Sequence, residues 1–180
     1  MTDQQDTTDS TDPSGSSDAS GSVPRDTVSI PAEIELPDLL DFYERQTPEH
    51  TQIHEFYENL DDGRLTTTRC RDCGETHYPP RIVCPECTGD DLEYVDLPHE
   101  GELFAFSESR GGTPLGYHDT SPFVVAIVDL GAVKLSARID DARYDDLEIG
   151  DPVSLKIVDI DDGTGRERVF YRFVPRGETQ

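Results

Sequence analysis

Apolar side chains are nearly absent from the first 27 residues and then return in two different rhythms. The opening stretch, MTDQQDTTDSTDPSGSSDASGSVPRDT, is built from Ser, Thr, Asp and Gly. It offers too little apolar surface to offset the entropy of ordering, so the pattern predicts a disordered acidic tail over 1–27. Between 37 and 62 the rhythm is helical. Leu39, Leu40 and Tyr43 share one face of a segment opened by Pro37 and Asp38. Thr47 then stands as a cap, with Pro48 at the first helical position and Glu49 in the first turn. Ile53, Phe56, Tyr57 and Leu60 follow at i, i+3, i+4 and i+7, and the stripe ends before Gly63.

From residue 91 the period shortens to two. LEYVDL (92–97), ELFAFSES (102–109), PFVVAIVDL (122–130), VKLSARI (133–139), PVSLKIVDI (152–160) and RVFYRFV (168–174) are β-branched, aromatic and bounded by Gly, Pro or Asp. In VKLSARI, Val133, Leu135, Ala137 and Ile139 point one way and Lys134, Ser136 and Arg138 the other. LEYVDL reads as a connection into the strands. The remaining five match the count of an OB-fold barrel, and the gap 140–150 suits the short helix such barrels carry after the third strand. A small sandwich has the same strand count.

Charge narrows the function. The chain carries 39 acidic and 15 basic residues, for a net charge of −24, and Lys134 and Lys156 are its only lysines. Acid spread through every segment with so few Lys reads as adaptation to high salt, where screening removes the self-repulsion that keeps ordinary proteins apart. A halophilic archaeal cytosol fits. The same charge disfavours nucleic acid, whose affinity comes largely from cations that neutralise phosphates. No apolar run approaches the ~20 residues of a membrane span. The N-terminus has neither the basic nor the apolar region of a signal peptide. A cytoplasmic protein is expected, and there disulfides are rare.

All four cysteines fall in one 18-residue window, as Cys70-Arg-Asp-Cys73-Gly74, ten residues after Cys73, then Cys84-Pro-Glu-Cys87. Each C-x-x-C turn directs two thiolates at one ion, and two turns complete a tetrahedron with no open position. The metal is therefore structural, and four sulfurs favour zinc while allowing iron. Gly74 and Gly89 follow the two turns, where a positive φ is often needed.

The order of motifs then becomes specific: helical stripe, Cys70-x-x-Cys73-Gly74, Tyr78-Pro79-Pro80-Arg81, Cys84-Pro85-x-Cys87, Leu92-Glu93-Tyr94-Val95, five strands. Over roughly 38–175 the chain resembles the OB-fold proteins with an N-terminal rubredoxin-like zinc ribbon that accompany thiolase-type acyl-CoA enzymes. Tyr94 departs from the Trp of many members but stays aromatic. The resemblance fits the mainly β fold with N-terminal helices that the patterns predict: a helical segment at 37–62, a zinc ribbon at 65–90 and a five-stranded OB barrel at 91–176. Leu39, Leu40, Tyr43, Ile53, Phe56 and Tyr57 offer more apolar surface than a small ribbon covers, so 37–62 reads as a docking segment. The resemblance also implies an accessory scaffold handling CoA. In archaea such proteins join acetoacetyl-CoA thiolase to 3-hydroxy-3-methylglutaryl-CoA synthase, and other relatives serve thiolases or hydratases of lipid and steroid side-chain breakdown.

The residues supply matching candidates for CoA. The connections after the first and fourth barrel strands are Gly-rich, 111–116 and 161–166, and glycine lets backbone N–H groups approach phosphate. Arg110, Gly111, Gly112, Arg166 and Arg168 are the expected contacts, with Arg172 on the last strand beside them. Catalytic signatures are missing: there is no G-x-S-x-G, P-loop, dinucleotide fingerprint or H-E-x-x-H. The metal takes every cysteine, so none is left as a nucleophile. His50 and His54 stand at metal-pair spacing without a third ligand, and His118 alone lies in a Gly-rich loop. The chain reads as no enzyme. A zinc-ribbon and OB module for nucleic acid is the competing class, and the acidic surface argues against it.

Overall fold

The computed structural model describes residues 23–29, 46–110, 122–161 and 168–176. Nine strands and one helix appear among them: β1 Arg25–Ser29, α1 His54–Asp61, β2 Thr66–Cys70, β3 Thr76–His77, β4 Leu92–Asp96, β5 Glu100–Ser109, β6 Phe123–Asp129, β7 Lys134–Ile139, β8 Pro152–Asp161 and β9 Val169–Pro175. No helix here is long and apolar enough to cross a membrane.

The five strands β5 to β9 close on themselves. The order runs β8-β5-β6-β7-β9, and β9 pairs back to β8 along seven positions from Val153↔Pro175 to Asp159↔Val169. Closure leaves a barrel and rules out the sandwich. The seam between β7 and β9 is thin: one parallel pair, Ile139↔Phe173, reinforced where Asp140 N donates to Phe173 O at 2.8 Å. Alternation sets the interior. Val124, Ala126 and Val128 face inward from β6, Leu135, Ala137 and Ile139 from β7, Leu155 and Ile157 from β8, Tyr171 and Phe173 from β9, all buried. A bulge between Leu103 and Ala105 sends Phe104 outward, 54% exposed. The gap 140–150 holds only a single 3₁₀ turn, Tyr144–Asp146.

LEYVDL is more than a connection. As β4 it pairs with β2, which pairs with β3, in a separate three-stranded sheet that carries the cysteines.

The N-terminal helices are corrected to one short helix among the described residues. Leu39, Leu40 and Tyr43 lie outside them. Thr47 and Pro48 begin a single turn, in which Thr47 O accepts from the N–H of His50 and Thr51, and α1 starts only at His54. The reason is tertiary. Gln46 is held to β9 by two bonds, its Nε2 donating to Val169 O (2.7 Å) and its Oε1 accepting from Val169 N (3.1 Å). Thr51 Oγ1 then accepts from Ile53 N and breaks the helical run. His50 is consequently not on the helix of His54, and the two form no metal pair.

Two positions of the helical stripe turn inward. Phe56 (4% exposed) and Leu60 (0%) belong to the same core cluster as the barrel interior. Phe56 sits 6.4 Å from both Tyr78 and Tyr171, ring centre to ring centre, and edge-to-face with each. Tyr78 OH donates to Tyr171 OH (2.5 Å), which donates to Ser136 O (3.0 Å). Burial pushes both phenols above their ordinary pKa. One aromatic cluster thus joins helix, ribbon and barrel.

The tail boundary at 27 falls inside a strand. Arg25 to Ser29 run parallel to β8 from Arg25↔Ile157 to Ser29↔Asp161. Arg25 anchors this strand by gripping Asp159 and, through Nη2, Asp61 at 2.6 Å.

Candidate metal centre

The ribbon presents its cysteines from two turns with the same hydrogen-bond plan. In the first, Gly74 N donates to Cys70 O (2.9 Å) and Cys70 N to Glu75 O (2.9 Å). In the second, Thr88 N donates to Cys84 O (2.9 Å) and Cys84 N to Gly89 O (2.8 Å). Each turn needs one residue in the left-handed region. Gly74 supplies it in the first at φ 81°, as expected, but Thr88 at φ 62° supplies it in the second. Gly89 leaves room for the Asp72 carboxylate: a Cβ there would make that exposed side chain shift and would come 3.4 Å from Cys87 Sγ.

The four sulfurs of Cys70, Cys73, Cys84 and Cys87 lie within 4.8 Å of one another. Cys70 Sγ is 3.5 Å from Cys87 Sγ, and Cys73 Sγ is 3.6 Å from Cys84 Sγ. A disulfide needs about 2.05 Å, whereas a tetrahedron with Zn–S near 2.3 Å has sulfur–sulfur edges of about 3.8 Å. The donor set therefore supports a structural zinc. Cys70 and Cys84 are buried, while Cys73 and Cys87 face outward.

Electrostatics favour a cation at the cluster. Burial opposes ionisation of Cys84, but the backbone N–H groups of Cys87 and Glu86 and the His77 ring outweigh it and bring the thiol down to about 6. Cys73 receives the Glu75 N–H, yet its surroundings and the neighbouring sulfurs push it up to about 12. Cys87 receives the Gly89 N–H and is also raised, beside Cys70. Charge thus gathers on one sulfur and is resisted at two others, a conflict that a divalent ion removes. His77, on β3, places its Nε2 3.3 Å from Cys84 Sγ, a contact that no spacing rule marks beforehand. Around the site Arg69 and Arg71 both grip Glu93 across β2 and β4, and the Arg69 contact first among them lowers the Glu93 pKa.

Of the expected CoA contacts, Arg110 and Arg168 fall among the described residues, as does Arg172 beside them. Gly111, Gly112, Arg166 and His118 lie outside the described residues. Arg110 directly follows β5, exposed and paired with Glu108. Arg168 and Arg172 are buried, each 6% exposed. Arg172 reaches Asp140 at 2.9 Å, and Lys156 beside it reaches Asp26 (2.6 Å) and Asp141 (3.3 Å). These charges line a cleft of about 440 Å³ on the outside of the barrel, walled by β1 and residues 140–142.

Comparison with known proteins agrees with this architecture. Residues 58–93 match the rubredoxin-like zinc ribbon domain of ChsH2, and 94–158 its C-terminal OB-fold domain. A DUF35 domain-containing scaffold protein of Methanothermobacter thermautotrophicus is 36% identical over 93 residues, 51% of this chain and 69% of that protein. Benzoylsuccinyl-CoA thiolase subunit BbsA of Thauera aromatica is 33% identical over 105 residues, 52% of this chain and 73% of that subunit. A solved structure described as an Ltp2-ChsH2(DUF35) aldolase superposes with a TM-score of 0.59 at 24% identity, covering 72% of this chain and 98% of the other, a likeness of fold. With a four-cysteine ribbon leading into a closed five-stranded barrel, this chain belongs to the DUF35 family of ChsH2-type zinc-ribbon and OB-fold scaffold proteins.

Proposed function

We propose that this chain is a non-catalytic subunit that bridges acetoacetyl-CoA thiolase and 3-hydroxy-3-methylglutaryl-CoA synthase, the mevalonate-pathway pair, in the cytoplasm of a salt-adapted archaeon. The observation that carries the accessory role is its likeness to proteins named as scaffolds and as a thiolase subunit. The likeness to methanogen scaffolds supports the archaeal setting. The gain is thermodynamic: thiolase condensation runs uphill, and direct hand-over to the synthase pulls it forward. CoA is shared at the barrel mouth, with Arg110, Gly111, Gly112 and Arg166 nearest its phosphates. Arg168, one residue before β9, completes the set. The test is co-expression with both enzymes of the same genome and gel filtration at high salt. A ternary complex whose coupled turnover exceeds that of the mixed enzymes is expected; co-elution with neither enzyme overturns the reading. BbsA favours a second reading, a subunit of one degradative thiolase alone, which binary assembly without the synthase would select.

In this reading zinc is held by Cys70, Cys73, Cys84 and Cys87 as a purely structural ion. Elemental analysis should find about one zinc per chain. Ligation requires thiolates, and Cys73 and Cys87 are thiols at neutral pH in the metal-free chain. Binding must therefore expel their protons, so affinity falls as pH falls and rises as pH rises. Competition with a chelator at pH 6.5 and pH 8.0 measures this, and equal affinities would contradict the four-thiolate site.

A further inference from the structure

A groove of about 270 Å³ runs between ribbon and barrel. Thr76, His77, Tyr78, Arg81 and Pro85 form the ribbon wall, and Ala132 to Lys134, the turn from β6 to β7, form the other. In a chain with 39 acidic residues, no carboxylate among the described residues lines it. Arg81 is unlike its ribbon neighbours. Arg64, Arg69 and Arg71 each hold a carboxylate, at 2.9, 2.5 and 3.3 Å. The Arg81 guanidinium meets none among the described residues, although its backbone is fixed, with Arg81 N donating to Thr68 Oγ1 at 2.8 Å.

Apolar surface accompanies this uncommitted cation. Ile82 and Val83, the next two residues, are 50% and 47% exposed. Across the groove the Lys134 ammonium, backed by Asp129, lies 4.7 Å over the Phe104 ring at the β5 bulge. Exposed Ile, Val and Phe around a carboxylate-free groove are costly on a surface otherwise given over to hydrated acid, and such patches mark interfaces.

We propose that this groove seats a segment of the partner enzyme in which an apolar side chain stands next to a carboxylate. The apolar group packs on Pro85 and Val133 between Val83 and Phe104, and the carboxylate pairs with Arg81. Charge complementarity selects such an occupant: the carboxylates that dominate this acidic chain repel it elsewhere, and among the described residues no carboxylate competes for the Arg81 guanidinium. The inference rests on the partner-subunit reading and adds the place and chemistry of contact.

The test uses the full zinc-loaded chain, with purified acetoacetyl-CoA thiolase and 3-hydroxy-3-methylglutaryl-CoA synthase of the same genome as probes, at one fixed salt concentration. Arg81→Glu and Val83→Asp, both at exposed positions, should each weaken binding to one of the two enzymes by at least about tenfold. Arg143→Glu makes the same charge change outside the groove and should stay within about twofold. Zinc content and melting temperature confirm folding of each variant. If both groove variants bind like wild type, the groove assignment falls and the partner reading stands. If wild type binds neither enzyme, both fall. Displacement of the enzyme by CoA that is lost in Arg81→Glu would make the groove a phosphate site and overturn docking.

Discussion

Replacing Cys84 by Ser is expected to release the metal and unfold the ribbon while leaving the barrel closed. The asymmetry follows from what each part buries. The barrel interior is apolar, from Leu103 and Val124 to Leu155, Ile157 and Phe173. The ribbon sheet buries Thr66, Thr67 and Thr68 together with Cys70 and Cys84, and β3 is two residues long. Threonine methyls cannot carry so small a sheet, so metal ligation must hold it, and structural zinc contributes about 10–16 kcal/mol in isolated fingers. Cys84 is a buried ligand whose thiol is brought down to about 6, and His77 touches it, so its loss removes both charge and geometry. Zinc content should drop to near zero, and circular dichroism should show a barrel-like strand signal with a lower, broader melt. A variant that keeps one zinc and the wild-type melt would refute this account.

Phe56→Ala is expected to destabilise the whole chain by about 3–5 kcal/mol, the range for emptying a large aromatic site in a core. The ring is where three parts meet: it touches Tyr78 of the ribbon and Tyr171 of β9 edge-to-face, with Leu60 beneath on the same helix. Its removal leaves the Tyr78–Tyr171 hydroxyl pair beside a void with no polar occupant. Denaturant unfolding at constant salt measures the loss; a cost under about 1 kcal/mol would show that α1 is a loosely attached appendage. A chain shortened to begin after residue 62 loses Phe56 and Leu60 together and should fare worse. That outcome separates a core helix from the docking element suggested by its amphipathic stripe.

What was legible in the sequence is what local chemistry decides. Val133, Leu135, Ala137 and Ile139 alternate because one face of β7 looks into the barrel, and they are buried at 8, 1, 5 and 2%. The cysteine spacing likewise encodes two turns and hence a four-sulfur cluster. The errors arise where distant chain decides. Arg25–Ser29 is as polar as the tail before it, and its strand state comes from the free edge of β8 and the carboxylates of Asp61 and Asp159. Thr47-Pro48 carries a sound helix-start signal, overridden by the grip of Gln46 on Val169, 123 residues away. Arg172 points outward by alternation, so solvent was the natural expectation. Nothing nearby in sequence reveals that β1 and residues 140–142 cover that side, furnishing Asp140 to Arg172 and Asp26 and Asp141 to the adjacent Lys156. His77 beside Cys84 belongs with these cases.

The pairing of β1 with β8 also sets a timetable. Arg25 and Asp159, which clasp at that seam, stand 134 positions apart. A ribosome adding about 5–20 residues per second delivers β1 within seconds and β8 only after most of the chain has emerged. The ribbon, whose strands and ligands all lie between residues 66 and 96, can close around its ion meanwhile. The barrel cannot, because β5 awaits β8 and β7 awaits β9, contacts of the long-range kind that slow folding. The strand synthesised first is therefore among the last to find its neighbour.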